Sequence, residues 1–400
     1  MRASLLLLFL IHASATAGPF LADGNQHDGE AVTCDLPISE HLRNKVGRDG
    51  LGLCVFTAIE HAARWANEPA LIGFRDYMTQ KPGGGWPEKV DEMIPQFAAS
   101  QHRPTPRYVQ HTGGDAEFLR LALRTGRYVC VTYNGRDGVF YRGTIAHMVN
   151  LVHLTEKWAV VHDNNYPGQW LWMPPADFFE RWRGSGGGWA IVLLNPGPPP
   201  IPVNRVAIEA SFGSPLDSSA ETSTNFGLDV ARVPSNSSYR LNGKEVTRGE
   251  ALSSFKGLTD DSGKLRLTIV GDADLRRRVR DDLANHPTLI KLGDRLLVQD
   301  YPPEHWAVAG VGFAAGITLQ PAPDAAGKAP VLIRLPTYSG PEALAGAIRQ
   351  ADPNYRPERD PTPGKIDPSK TLDAFRSTPE LWVLGGLGLL VLLYRRKGKS

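Results

Sequence analysis

Cys54 lies in a sequence context that favours a reactive thiol. It follows the stretch Gly50-Leu51-Gly52-Leu53 and opens a helical pattern in which Val55 and Ile59 recur on one apolar face. The glycines allow a tight loop to enter the helix, and the dipole and unpaired N–H groups of a first helical turn favour the thiolate. The alternative is a free cysteine that serves as a small hydrophobic core residue.

His147 and Asp163 could complete a nucleophilic site with this cysteine. A cysteine nucleophile needs a base to take its proton and a third group to orient that base. His147 stands near the start of a predicted strand over 146–154, and Asp163 follows a second predicted strand over 157–162. Two antiparallel strands joined by a short turn would bring these two side chains together. Asn164, one residue further along, is the alternative orienting group.

These residues together resemble the papain-like cysteine peptidase superfamily, including its bacteriocin-processing branch. The shared features are Gly-x-Cys at a helix start, a histidine that opens a strand, and an aspartate or asparagine after the next strand. The resemblance covers about residues 30–195. It implies that Cys54 is the nucleophile, that His147 is the general base, and that Asp163, or alternatively Asn164, orients the base.

The same resemblance implies a substrate-binding edge and an oxyanion hole. The run Gly83-Gly84-Gly85-Trp86 is similar to the glycine-rich edge that pairs with substrate backbone in papain-like enzymes, so a peptide or protein is the implied substrate. The family usually places a glutamine shortly before the cysteine, where this chain has Arg48. Asn44 is the best substitute donor, beside the backbone N–H of Cys54.

A second domain is predicted over residues 238–351, after a proline-rich and then Ser/Thr-rich linker over 196–237. It opens with a hairpin at Asn242-Gly243 and continues with strands and helices whose order weakly resembles a thioredoxin-like fold. This segment contains no cysteine, which excludes thiol redox chemistry in it. We expect a binding or spacer module.

The two ends of the chain predict export and attachment to the membrane or cell surface. Residues 1–17 show a short basic start, an apolar core and a small-residue cleavage site, as in a signal peptide. Residues 352–380 predict a disordered stalk, and the apolar segment 381–394 precedes Arg395-Arg396-Lys397. We expect a transmembrane or sorting segment that holds the protein at the membrane or cell surface.

Composition narrows the range of partners. The 44 basic residues almost balance the 42 acidic ones, and no sustained basic face is present, so no nucleic acid partner is expected. The three cysteines contain no Cys-x-x-Cys pair, so neither a structural metal nor a cofactor is predicted. Cys34 and Cys130 could form a disulfide or remain two separate buried thiols.

The sequence thus predicts an α+β fold class: a papain-like cysteine peptidase domain, a small thioredoxin-like α/β domain and a C-terminal transmembrane segment. The predicted function is that of an exported, membrane-tethered cysteine peptidase or amidase. Two alternatives remain open at this point. One is a non-catalytic cell-surface binding protein built on a degenerate peptidase scaffold, and the other is a papain-like acyltransferase.

Overall fold

The computed structural model describes residues 20–203, 237–259, 264–323 and 327–352. The strands in this part of the chain are β1 (Leu21–Asp23), β2 (Gln26–His27), β3 (Glu30–Ala31), β4 (Tyr108–Thr112), β5 (Val129–Gly135), β6 (Thr144–Leu154), β7 (Ala159–His162), β8 (Trp170–Met173), β9 (Ala190–Leu193), β10 (Ile201–Val203), β11 (Ser238–Leu241), β12 (Lys244–Val246), β13 (Leu265–Val270), β14 (Leu296–Tyr301), β15 (Gly316–Gln320), β16 (Lys328–Pro330) and β17 (Ile333–Leu335). The helices are α1 (Cys54–Trp65), α2 (Phe74–Met78), α3 (Pro87–Ser100), α4 (Ala116–Arg124), α5 (Pro175–Arg183), α6 (Arg248–Thr259), α7 (Ala273–Asn285), α8 (Pro287–Leu292) and α9 (Pro341–Ala351).

A nine-stranded sheet in the order β1-β8-β7-β6-β5-β9-β4-β11-β12 positions the site. Its central strands are rich in β-branched and aromatic residues, and β7, β8 and β9 are buried along their whole length. β6 and β7 form an antiparallel hairpin in which Asn150 pairs with His162. This register places the residues that follow β7 beside the first half of β6.

Helix α1 packs against this sheet, chiefly on β6. Nearly all of its residues are buried, including the polar Thr57, Glu60 and His61. The buried Glu60 carboxylate accepts hydrogen bonds from the backbone N–H groups of Gly73 and Arg75 and pairs with Arg64. The Glu60 charge is paired and the apolar face of α1 is buried. Helix α1 is therefore held firmly, and its N-terminus is fixed relative to β6.

A second, four-stranded sheet has the order β14-β13-β15-β17. β13 and β14 are parallel, whereas β15 is antiparallel to β13 and to β17. Leucine, isoleucine and valine side chains of this sheet form a core of their own with α7, α8 and α9.

The hairpin predicted to open the second domain at residue 238 lies in the nine-stranded sheet. The hairpin around Asn242-Gly243 is present, but its first strand, β11, pairs with β4 and so extends the nine-stranded sheet. Tyr239 and Leu252 belong to the core of that sheet. The second core begins at Leu265. A hairpin sequence specifies its own turn but not the sheet edge that it joins, because the edge is a non-local partner.

The proline-rich start of the predicted linker is bound to the second sheet rather than acting as a free spacer. β10 pairs in parallel with β16, and the Gln299 and Gln320 side-chain amides donate to the carbonyls of Gly197 and Pro200. Trp65 of α1 stacks on Trp306, with ring centroids 5.8 Å apart. Residues 204–236, the rest of the linker, lie outside the described residues.

The predicted fold class needs one further correction. The described residues form a mixed α/β structure with large sheets, which is consistent with an α+β class, but none of their helices is long and apolar enough to cross a membrane. The fold class with a transmembrane segment is therefore wrong for the described chain. The segment predicted for that role, 381–394, lies outside the described residues, as do 1–17 and all of the stalk except Asp352.

Candidate active site

Cys54 is the first residue of α1 and is half-buried. The residue before it, Leu53, caps the helix without a side-chain hydrogen bond, and its backbone N–H donates to Lys45 O at 2.9 Å and to Asn44 Oδ1 at 3.1 Å. The loop over 44–53 is therefore fastened directly at the helix start. The thiol lies where the unpaired N–H groups of the first turn stabilise negative charge.

His147 and Asp163 meet at the open end of the β6–β7 hairpin. His147 lies in β6, and Asp163 is the first residue after β7. The imidazole Nε2 is 2.8 Å from Asp163 Oδ1, and both side chains are almost fully buried. Because Nε2 binds the carboxylate, the other ring nitrogen, Nδ1, is free for the Cys54 thiol. This is the order of contacts that a cysteine–histidine–carboxylate site requires.

The electrostatics of this group favour a thiolate and an imidazolium. Burial by itself raises the pKa of the Cys54 thiol, but the hydrogen bond and positive charge of His147 and the N–H groups of Met148 and Val55 outweigh it, so the net pKa is lowered. For His147, burial lowers the pKa, but the charge and hydrogen bond of Asp163, followed by those of Cys54, raise it overall. Each partner therefore stabilises the charged form of the other.

Asp163 is held by two further donors. Its Oδ2 accepts from the Tyr141 hydroxyl at 2.8 Å, and its Oδ1 also accepts from the backbone N–H of Asn165 at 2.8 Å. The Tyr141 ring lies edge-on to His147, with centroids 5.8 Å apart. With three donors around it, the carboxylate cannot rotate away from the imidazole.

Asn164, the alternative orienting residue, does not face His147. Its Nδ2 donates to Met148 O at 2.9 Å and to Cys54 O at 3.3 Å. It therefore ties the first turn of α1 to β6. The chain turns at Asp163, whose carbonyl and carboxylate accept from the N–H groups of Tyr166 and Asn165, and within this turn the Asn164 side chain is directed to the backbone of β6 and α1 rather than to the imidazole.

Asn44 is fixed at the mouth of the site. Its Oδ1 accepts from Leu53 N–H, and its Nδ2 donates to Asn165 Oδ1 at 3.1 Å. The second N–H of this amide has no acceptor among the described residues. A Cβ at Gly52 would lie 3.5 Å from Nδ2, so the amide borders the loop that leads to Cys54. One donor is thus available in addition to the backbone N–H of Cys54.

The glycine run lies directly against the Cys54 loop. A Cβ at Gly83 would come within 2.1 Å of Leu51 O, and one at Gly85 within 2.6 Å of Val55 Cβ, so neither position has room for a side chain. The N–H of Gly84 donates to Gly52 O at 2.8 Å. Close approach of two backbones is the physical reason for glycine here.

Lys89 binds the backbone carbonyl groups of this glycine run. Its ammonium donates to the carbonyls of Pro82, Gly83 and Gly84 at 2.7, 2.7 and 2.9 Å. Neither the N–H nor the C=O of Gly85 has a partner among the described residues. The next residue, Trp86, is 51% exposed, and Lys89 Nζ lies 4.8 Å from its ring centroid. A free backbone pair beside an exposed indole is suited to an extended peptide.

Sequence reasoning missed three contributors to the site: Tyr141, Asn165 and Lys89. Tyr141 lies in a loop that Asp137 organises, since Asp137 Oδ1 accepts from the N–H groups of Val139, Phe140 and Tyr141. The signal in the sequence is Asp137-Gly138, a turn dipeptide. It indicates the turn but not the direction in which the tyrosine then points.

The other predicted features of the site can also be placed. All three cysteines are free, so Cys34 and Cys130 are separate buried thiols rather than a disulfide. Burial raises the pKa of both thiols far above the usual range. Within the described residues, no group of three or more histidine, cysteine, aspartate or glutamate side chains is arranged to hold a metal ion.

No protein-family model matches the chain. No curated protein matches it either.

Proposed function

We propose that this protein is a papain-like cysteine peptidase or amidase that cleaves a peptide or isopeptide bond. The observation that supports the proposal most directly is the chain of contacts from Asp163 through His147 to Cys54, in which the thiol pKa is lowered and the imidazole pKa is raised. A degenerate binding scaffold has no need to keep a thiol, an imidazole and a carboxylate in this order of contacts.

In the first half of the reaction, the Cys54 thiolate attacks the scissile carbonyl carbon, and the carbonyl electron pair moves onto oxygen. In this proposal the Cys54 backbone N–H and the second N–H of Asn44 Nδ2 donate to that oxyanion. The His147 imidazolium then gives its proton to the leaving amine as the C–N bond breaks, which leaves a thioester on Cys54.

In the second half, neutral His147 takes a proton from water as the water oxygen attacks the thioester carbonyl. The C–S bond breaks, the acid product leaves, and the thiolate–imidazolium pair is restored. Asp163 holds the imidazole in place throughout.

An extended peptide is the proposed substrate. Its backbone would pair with the free N–H and C=O of Gly85, as an added strand pairs with a sheet edge. Trp86 and Leu51 are the exposed apolar side chains on either side of that edge, at 51% and 57% exposure. They favour substrates with an apolar residue close to the cleaved bond.

The first test is the pH dependence of Cys54 alkylation by iodoacetamide in the folded protein. Cys34 and Cys130 are buried with raised pKa values, so labelling reports on Cys54 alone. We expect a midpoint well below about 8.5, the value of an ordinary thiol. Hydrolysis of a library of fluorogenic peptides should disappear in Cys54→Ala. A midpoint near about 8.5, or hydrolysis that survives Cys54→Ala, would refute the proposal.

A further inference from the structure

Asn165 uses all of its polar groups, and three of them bind residues of the site. Its Nδ2 donates to the Tyr141 hydroxyl at 2.8 Å, its Oδ1 accepts from Asn44 Nδ2 at 3.1 Å, and its backbone N–H donates to Asp163 Oδ1 at 2.8 Å. Its carbonyl accepts from Arg43 Nη1 at 3.1 Å. One half-buried side chain thus connects the residue that orients the base with the candidate oxyanion donor.

The direction of every hydrogen bond in the series from Asp163 to Asn44 follows from the Asp163 carboxylate. Asp163 only accepts, so the Tyr141 hydroxyl must donate to it, and burial and the charge of Asp163 raise the pKa of Tyr141 far enough to keep it protonated. The hydroxyl oxygen must then accept, which requires the NH₂ of Asn165 to face Tyr141. The amide oxygen of Asn165 consequently faces Asn44.

The same argument determines the orientation of the Asn44 side-chain amide. Since Asn165 Oδ1 accepts, Asn44 presents its NH₂, and its own oxygen takes the Leu53 N–H at the start of α1. A flipped Asn44 would place an oxygen where the oxyanion needs a donor and would leave two oxygens facing each other. The orientation of the oxyanion donor is therefore coupled to the Asp163 carboxylate.

We propose that Asn165 is a positioning residue that holds His147, through Tyr141 and Asp163, and Asn44 in one hydrogen-bonded frame. This inference rests on the proposed function. It assigns Asn165 and Tyr141 no contact with substrate. Their effect is to keep the base and the oxyanion donor in the same geometry.

The effect of Asn165 on His147 is tested by the pH dependence of Cys54 alkylation in Asn165→Ala and in Tyr141→Phe. Tyr141→Phe removes a donor to the Asp163 carboxylate, and Asn165→Ala removes the amide that holds the Tyr141 hydroxyl against it. Either change loosens the carboxylate and the imidazole, which weakens the contact that stabilises the thiolate and so raises the thiol pKa. A hydrogen bond to a charged group is worth about 1.5–3 kcal/mol, so we expect the midpoint to rise by about one pH unit. Tyr141→Phe keeps the ring packing and serves if Asn165→Ala does not fold.

The oxyanion side is tested by turnover of the best peptide of the library in Asn44→Ala, Asn165→Ala and the double variant. If Asn165 acts by placing Asn44, each single change lowers kcat by about 10–100-fold with little change in KM, and the double variant is no slower than the slower single one. Asn195→Ala is the control, because Asn195 is also half-buried and donates to Glu68, away from Cys54.

The outcomes separate the two proposals. A low alkylation midpoint in the wild type that neither Asn165→Ala nor Tyr141→Phe changes would overturn the positioning role and leave the peptidase proposal standing. Additive losses of kcat in the double variant would also overturn it. An ordinary thiol profile in the wild type would overturn the proposed function and this inference together.

Discussion

His147 of β6 and His162 of β7 lie on neighbouring strands, and the fold shifts their pKa values in opposite directions. His147 of β6 faces Asp163, which raises its pKa against the effect of burial. His162 is the residue just before Asp163, and its ring stacks on that of His41 instead. The ring centroid of His162 lies 3.8 Å from that of His41 and 4.6 Å from that of His61. We call these last three residues the histidine stack.

Within the histidine stack, burial lowers each pKa. For His61 it lowers the pKa to about 3, because the ring is fully enclosed between Asn150 and the Leu42 N–H. For His162, burial and then the neighbouring rings of His61 and His41 lower the pKa far below the usual value. The stack is therefore neutral and structural. Equal burial produces a charged base only where a carboxylate has been placed against the ring.

The largest expected effect is a difference in kcat/KM between a variant of His147 and a variant of the histidine stack. His147→Ala should lower kcat/KM by about 10⁴-fold, because it removes both the imidazolium that stabilises the thiolate and the proton donor for the leaving amine. His162→Phe keeps a stacked ring but loses the contact with the Tyr128 hydroxyl at 2.8 Å. It should leave kcat/KM within about threefold and lower the free energy of unfolding by about 1–2 kcal/mol. Peptide hydrolysis and urea unfolding of both variants measure this, and a large loss of turnover in His162→Phe would contradict the distinction.

A smaller effect separates the two candidate orienting residues. Asp163→Ala should lower kcat/KM by about 10²–10³-fold and move the alkaline limb of the pH profile to lower pH. The sign follows from the raised pKa of His147, which falls when the carboxylate is removed.

Asn164→Ala is the matched variant for this test. It removes the contacts with Met148 O and Cys54 O and should lower stability while the alkaline limb stays in place. A shift of that limb in Asn164→Ala, with none in Asp163→Ala, would reverse the assignment.

The smallest effect concerns the pH dependence of stability. The folded histidine stack stays neutral, whereas the same histidines bind protons below about pH 6.5 in the unfolded chain. The unfolded state then binds more protons, so stability is full above that pH and falls as the pH is lowered. The slope reaches about 1.4 kcal/mol per pH unit for each histidine.

Urea unfolding between about pH 7.5 and 5 measures this slope, and carboxylates add to it only at lower pH. His162→Phe should give a shallower slope than the wild type. The exposed His102 offers the control, because His102→Gln should leave the slope unchanged. Equal slopes in the wild type and His162→Phe would show that the stack is not held neutral by the fold.

The parts of the site that sequence could predict are those that local geometry brings together. A cysteine at a helix start and a histidine and an aspartate on one short hairpin are recognisable from spacing alone, and the structure brings these three side chains together. Even so, Asp163 and Asn164 could not be told apart, because a shift of one residue at a strand end reverses which side a residue faces.

Tyr141, Asn165 and Lys89 could not be predicted, because each acts through residues remote in sequence or through loop backbone. A loop tyrosine carries no periodic pattern that shows where its hydroxyl goes, and a lysine that binds three carbonyls looks, in sequence, like a solvated helix residue. The same holds for the hairpin at Asn242-Gly243, whose turn is local but whose partner, β4, is far away along the chain.

The sequence by itself therefore determined the types of the reacting groups and the local elements that carry them, because helix starts, turns and hairpins depend on neighbouring residues. Only the tertiary structure decided which carboxylate meets His147, which amide faces the oxyanion, and which histidines stay neutral. Those outcomes depend on burial and on contacts between distant segments, which arise only when the sheets and α1 pack together.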